Sequence, residues 1–139
     1  MQTPLRITYR SADRTRAVES TVRQGVAELE RFYRRAARTE IAARLDRACA
    51  LTGTTYSGLS IRGQRSRWAS CSPSGAMSFN WRLLLAPEPV LDYVVWHEVC
   101  HLEVMDHSAR FWRLVGQRCP SYREHVRWLR QHGSTLVLE

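Results

Sequence analysis

Asp92-Tyr93-Val94-Val95-Trp96-His97-Glu98-Val99-Cys100-His101, running on through Leu102-Glu103-Val104-Met105-Asp106 to His107, is the stretch on which the reading of the whole chain turns. From Val90 to about Val104 the pattern is helical and heavily apolar, with Leu91, Val94, Val95, Val99 and Leu102, which predicts a buried helix. His97 and His101 are four residues apart. On a helix that spacing puts them one turn apart on one face, so both imidazoles can reach one ion. Glu98 stands beside them and can reach a water bound to that ion. Two histidines and a glutamate on a buried helix are costly unless a partner satisfies them. The rival reading is a pair of hydrogen-bonded core histidines. Zinc favours imidazole nitrogen in a tetrahedral shell, and three protein ligands leave the fourth position to water. The metal brings that water's pKa to about 7, and a carboxylate beside it can take the proton.

The third ligand requires a change of direction. Were the helix to continue straight, His107 would lie about 9 Å beyond His101 along the axis and on another face. The helix must therefore end near 104–106 and the chain turn back, with Ser108 as N-cap of a new helix. No glycine in 102–106 eases that turn. A downstream carboxylate, Glu124 foremost, is the alternative third ligand, and His125 is a further one.

Upstream, residues 14–51 read as helix. Val18, Val22, Val26, Leu29 and Phe32/Tyr33 recur at steps of three and four, and Ile41, Leu45 and Ala48 continue the pattern. Thr39 is an expected N-cap after a break at Arg38-Thr39, and Gly53 the expected stop. Leu5-Arg6-Ile7-Thr8-Tyr9-Arg10 alternates like one short strand. Leu59-Ser60-Ile61-Arg62 and Ala76-Met77-Ser78-Phe79-Asn80-Trp81 read as two strands, with Ser72-Pro73-Ser74-Gly75 as a turn. Antiparallel pairing of these two is expected. Pro87 and Pro89 mark the start of the histidine-bearing helix. After Ser108, one helix runs to about Gln117, and a last one opens at Pro120-Ser121 and closes at Gly133. Helices, then strands, then helices make an α+β domain.

The 139-residue length suits one domain. Apolar residues at 44% and charged residues at 24% exclude a disordered chain. No apolar run approaches the roughly 18 residues a membrane span needs. No apolar segment follows Met1-Gln2-Thr3-Pro4-Leu5-Arg6 as a signal peptide requires, so no signal peptide is expected. All 21 basic residues are arginine and the net charge is +8, which permits an anionic or nucleic-acid partner without requiring one. Cys49, Cys71, Cys100 and Cys119 form no CxxC pair, and are expected as buried reduced thiols.

Arg67-Trp68-Ala69-Ser70-Cys71-Ser72, Asn80-Trp81-Arg82-Leu83, Pro87, the stretch from Asp92 to His101, and His107-Ser108-Ala109-Arg110-Phe111-Trp112 together resemble the YgjP-like metallopeptidase family, itself related to the SprT-like and WLM zinc peptidases. Pro120-Ser121-Tyr122 and Trp128-Leu129 extend the likeness, which covers about residues 31–133. The resemblance implies a zincin-like single domain: N-terminal helices, a small antiparallel sheet, an active-site helix and two C-terminal helices. It carries His97, His101 and His107 over as Zn2+ ligands and Glu98 as general base, in a cytoplasmic protein, and by analogy it lets an extended peptide pair with the edge of the strand Met77 to Trp81. Ala69 departs from the family's usual glycine and suggests a changed turn. The N-terminal region is shorter than usual, so residues 1–30 are set apart as a shortened strand/helix segment from a metallopeptidase domain over 31–139.

The expected function is therefore zinc-dependent hydrolysis of protein or peptide substrates. Two rivals are a metal-dependent hydrolase of nucleotides or other phosphate esters and a DNA-associated zinc protein. Against the first, no Gly-rich phosphate loop and no acidic magnesium cluster is present. Tyr122 and His125 are weaker candidates for an oxyanion donor; core packing for Tyr122 and a surface position for His125 are the simpler expectations. The segment 67–72 can shape the cleft opposite the metal, or be a packed turn with Trp68 in the core. Nothing in the sequence specifies an oligomeric state.

Overall fold

The computed structural model describes residues 11–133 and 136–139, without the side chains of 11–14 and Val137. The strand expected at 5–10 lies outside them. The chain divides into two compact units, Met1–Phe32 and Tyr33–Glu139.

Helix α1, Ser11–Thr52, begins in the first unit and ends in the second. No break interrupts it at 38–39. Thr39 Oγ1 donates to the Arg35 carbonyl, 3.3 Å away and four residues back, so the hydroxyl is absorbed inside the helix instead of capping a new one. Gly53 ends the helix with φ at 69°, a left-handed conformation that favours glycine. In the second unit, Ala37, Ile41, Leu45 and Ala48 form a buried face. In the first, Val18, Val22, Val26 and Leu29 are 56–60% exposed: the helical stripe is present, but these side chains are not core.

The sheet comprises β1 (Gly58–Arg62), β2 (Arg67–Cys71), β3 (Ala76–Asn80) and β4 (Val137–Leu138), ordered β1-β3-β2-β4. The expected α+β class holds, but the sheet is mixed, not antiparallel. β1 and β3 pair in parallel, with Leu59 opposite Met77 and Ile61 opposite Phe79. The reason is β2. Residues 67–71, which sequence reading treats as linker or turn, form a third strand that returns the chain, so β3 runs in the direction of β1. β2 and β3 then form the antiparallel hairpin through the expected turn, where Gly75 has φ at 84°. Ala69 sits within β2, buried opposite Phe79, so the family's glycine position is a strand position here and not a turn. β3 is interior, both its edges taken; the edge-pairing expected of it does not occur. β4 joins β2 in parallel, and the Glu139 amide donates to the Ala69 carbonyl at 3.2 Å.

A 3-10 turn, Trp81–Leu85, follows β3, capped by Asn80 Oδ1, which accepts from the Arg82 amide at 3.0 Å. Then come α2 (Glu88–Cys100), α3 (Ala109–Arg118) and α4 (Tyr122–His132). The core of the second unit joins the buried face of α1 to Met77 and Phe79, to Val94, Val95 and Val99, and to Phe111 and Val115. Arg44, nearly buried, reaches from α1 to Asp92 and, at 2.9 Å, to Glu88 on α2. No described helix is long and apolar enough to cross a membrane.

Candidate metal centre

α2 is buried along most of its length: Val90, Leu91, Tyr93, Val94, Val95 and the run from His97 to Cys100 are all core. It therefore carries His97, Glu98 and, at its C-cap, His101 into the interior. Beyond the α-helix proper the backbone tightens. The amides of His101, Leu102 and Glu103 donate to carbonyls three residues back, and Val104 donates to Cys100. This 3-10-type winding makes the turn without glycine, and no non-glycine residue among those described takes a positive φ. Asp106 Oδ1 then accepts from the Ser108 amide at 3.1 Å, and Ser108 Oγ caps α3 by accepting from the Phe111 amide at 3.4 Å. Held in that corner, His107 points back at the pair on α2.

The Nε2 atoms of His101 and His107 are 3.1 Å apart, and those of His107 and His97 are 3.3 Å apart. All three ligand atoms lie within 4.8 Å of one another. An ion held tetrahedrally at zinc–nitrogen bond lengths spaces its ligand atoms about 3.3–3.4 Å apart; both spacings from His107 match that edge, and His97 and His101 lie within 4.8 Å of each other. The outer nitrogens fit such an ion too. His101 Nδ1 is 3.0 Å from the Val104 carbonyl, which can only accept, so Nδ1 carries the hydrogen and the neutral ring turns its Nε2 lone pair inward. His97 Nδ1 lies 3.1 Å from the buried Tyr93 hydroxyl, the kind of outer partner that fixes a ligating imidazole. Burial, with the neighbouring His101 and His107, pulls the His97 pKa down to about 3, and burial lowers that of His101. Both rings thus stay neutral and able to bind a cation at neutral pH.

Glu98 is wholly buried, and neither of its carboxyl oxygens has a hydrogen-bond partner among the described residues. Burial pushes its pKa well up, and the negative charge of Glu139 adds to this. An orphaned buried carboxyl on the residue that follows His97 in α2 suits a cation or a polarised water as its neighbour.

His107 is exposed, whereas His97 and His101 are buried. A hollow of about 270 Å³ opens on His97 and His107, walled by Trp68 and Tyr93, by Trp112, by Val126, Leu129 and Arg130 of α4, and by Leu136 and Leu138 at the C-terminal strand. Aromatic rings collar the histidines: Phe111 stacks on His101 at 4.4 Å, and Trp112 lies 5.7 Å from His97 and 6.2 Å from His107.

The residues expected at the site converge. Glu124, the alternative third ligand, is exposed on α4 and outside the cluster. His125 is half-buried with its ring 6.1 Å from that of Tyr93, also outside the cluster. Tyr122 stacks on Trp112 at 5.4 Å. The segment 67–72 holds strand β2 and not the expected turn, yet Trp68 is buried as expected and also lines the hollow. Cys100 is buried 3.7 Å from an Arg118 nitrogen, away from the histidines, and all four cysteines are free. Sequence reading missed Tyr93, although its position four residues before His97 is a helical contact spacing. It also missed Arg130 and the C-terminal strand, whose places depend on tertiary packing.

A comparison with curated proteins finds no match. Among solved structures, the chain is similar to the metallopeptidase zymogen of Pyrococcus abyssi abylysin, with a TM-score of 0.62 and 22% identity over 70% of this chain and 98% of that one. That likeness concerns the fold. The profile of the YgjP-like metallopeptidase domain matches residues 3–132, so the resemblance read from residues 31–133 extends almost to the N-terminus. With nearly the whole sequence matched, and with a three-histidine cluster on the expected helix and corner, the chain belongs to the YgjP-like metallopeptidase family.

Proposed function

We propose that the protein is a zinc-dependent metallopeptidase in which His97, His101 and His107 hold the ion and Glu98 is the general base. The observation that carries this reading is the convergence of three Nε2 atoms, at 3.1 and 3.3 Å from His107, with a buried carboxyl lacking a hydrogen-bond partner on the residue after His97. Bound zinc supplies Lewis acidity, polarising a carbonyl and making its water acidic near neutral pH. The protein's own groups do the rest. Glu98 takes a proton from the attacking water and delivers it to the leaving amine. A positive ion nearby favours the carboxylate form that burial alone opposes. Tyr93 and the Val104 carbonyl keep two imidazoles in the ligating tautomer. The hollow walled by Trp68, Trp112 and α4 receives the peptide and limits water around it.

Family membership supports a peptide or protein substrate. Four free cysteines fit a reducing compartment, and we assign the protein to the cytoplasm. The same proposal takes residues 31–139 as the catalytic domain and sets residues 1–30 apart as an N-terminal segment.

Glu98→Gln should bind one zinc per chain and lose at least about a hundredfold in peptide hydrolysis, the usual scale for removing a general base. His97→Ala should lose the zinc itself. Metal analysis together with a fluorogenic peptide assay reads both. Full activity in Glu98→Gln, or stoichiometric zinc in His97→Ala, overturns the assignment.

A further inference from the structure

The hollow at the histidines does not end there. Trp112, Val126 and Arg130 also line a second hollow, of about 340 Å³, whose other walls are Tyr122, Arg123 and Arg127. Arg123, Arg127 and Arg130 follow one another at steps of four and three along α4, which places them on one face of that helix. Together they span about 10 Å along its axis, the length of about three residues of extended peptide.

These three arginines, like the half-buried Arg82, differ from the arginines that acids neutralise. Arg44 is matched by Glu40, Glu88 and Asp92, Arg118 by Glu103, and Arg67 by Glu139. Among the described residues, no carboxylate forms an ion pair with Arg123, Arg127 or Arg130. Among the described residues, Arg123 has the Tyr122 hydroxyl, an uncharged group at 3.3 Å, as its polar partner, and its guanidinium lies 5.7 Å from the Tyr122 ring. Stacking of Tyr122 on Trp112 at 5.4 Å builds an aromatic wall between this row and the histidine cluster. Three exposed guanidinium groups in a row, none of them ion-paired among the described residues although Glu124 shares their helix, and continuous with the hollow on the histidines, form a surface whose complement is a short run of carboxylates. Arginine's planar fork binds a carboxylate through two parallel hydrogen bonds.

We propose that the Arg123, Arg127 and Arg130 face of α4 is a specificity subsite that selects substrates carrying Asp or Glu within about three residues of the scissile bond. The inference rests on the peptidase reading of the histidine site and deepens it by naming the substrate class. Continuity of the row with the hollow on His97 and His107 favours a peptide over a nucleic acid. The groups act on binding and not on the bond being broken, so their effect belongs in KM more than in kcat.

The test compares zinc-loaded wild type, the Arg123→Gln/Arg127→Gln double variant and Arg127→Glu. The substrates are matched fluorogenic peptides with Glu, Ala or Lys on either side of the cleaved bond. Wild type should favour the Glu peptide over the Ala peptide by about tenfold or more in kcat/KM, mostly through KM, with the margin shrinking as salt rises. The double variant should bring that ratio near one, and Arg127→Glu should shift preference toward the Lys peptide. Equal cleavage of Glu and Ala peptides by wild type, or a preference that survives both variants, overturns the subsite while leaving the peptidase reading intact. In parallel, fluorescence anisotropy on Glu98→Gln measures binding of the labelled Glu peptide and of a single-stranded oligonucleotide of equal charge. Absence of cleavage, with Glu-peptide binding that the arginine changes abolish, keeps the subsite and refutes the peptidase. Tighter binding of the oligonucleotide through the same arginines assigns the face to phosphates and overturns the proposal.

Discussion

At the scale of single residues, the two buried chemistries on α2 respond to pH in opposite senses. His97 in the folded chain titrates near 3 against an ordinary 6.5, so the unfolded chain gains the proton first, and the stability this site contributes is lost as pH falls below 6.5. Glu98 works the other way. Its folded pKa lies well above the ordinary 4.5. Its contribution is complete below 4.5 and is lost as pH rises toward the folded value, because the unfolded chain releases a proton that the folded chain keeps. Comparing metal-free wild type with metal-free Glu98→Gln cancels the histidine term. The variant should gain on wild type above pH 4.5 by up to about 1.4 kcal/mol per pH unit, visible as a widening difference in Tm. Parallel Tm curves across pH 5–8 would show that the carboxyl is not held protonated by its burial. The residues of this centre are legible in the sequence because a four-residue repeat of histidines on an apolar helix has few uses. Tyr93 was not legible in the same way, since a tyrosine at that spacing is ordinary core until its hydroxyl is seen beside Nδ1.

At the scale of elements, the helices were read more faithfully than the strands. Ser108 and Gly133 mark their helix boundaries as expected, because caps are local chemistry. β2 was missed because Trp68, Ala69 and Cys71 are all buried, which erases the alternation that announces a strand facing solvent on one side. Its omission then misdirected the pairing of β1 with β3, since one missing strand reverses the direction of everything after it. Thr39 misled for a related reason: a hydroxyl that looks like a cap can bond within its own helix. Gly133 also has a role that capping alone does not suggest. A Cβ placed there would come within 2.1 Å of the Trp68 ring, so the end of α4 and the wall of the metal hollow are in direct contact. Gly133→Ala should therefore cost about 1–3 kcal/mol through overpacking, measured as a lower midpoint in urea. It should also shift Trp68, changing near-ultraviolet circular dichroism. A variant indistinguishable from wild type in both would mean that the ring has room to move.

At the scale of the whole molecule, the Tyr33–Glu139 unit is organised by contacts between distant parts of its chain. The last residues return to β2 as β4, and Arg44 ties α1 to the first turns of α2, 44 and 48 positions further on. Neither link could be seen in the sequence, where Arg44 is one arginine among 21. The Arg44 side chain is only 12% exposed, while Glu88 and Asp92 are open to water. Its loss removes the bridging cation without stranding a buried anion. Arg44→Met, which keeps most of the stem's packing, should destabilise the protein by about 1–2 kcal/mol, and by less at high salt. Urea midpoints at low and high ionic strength decide it; a null effect at low salt would show that packing alone holds α1 to α2.

The aromatic collar has a consequence of a different kind. Trp112, with its ring about 6 Å from those of two of the three histidines, is an indole chromophore placed beside the ion they are proposed to hold. A bound ion with a partly filled d shell, such as Co2+ or Cu2+, drains excitation energy from an indole at that range, whereas zinc with its closed shell does not. The protein's own emission therefore distinguishes which ion the histidines hold, and does so in solution without any added dye.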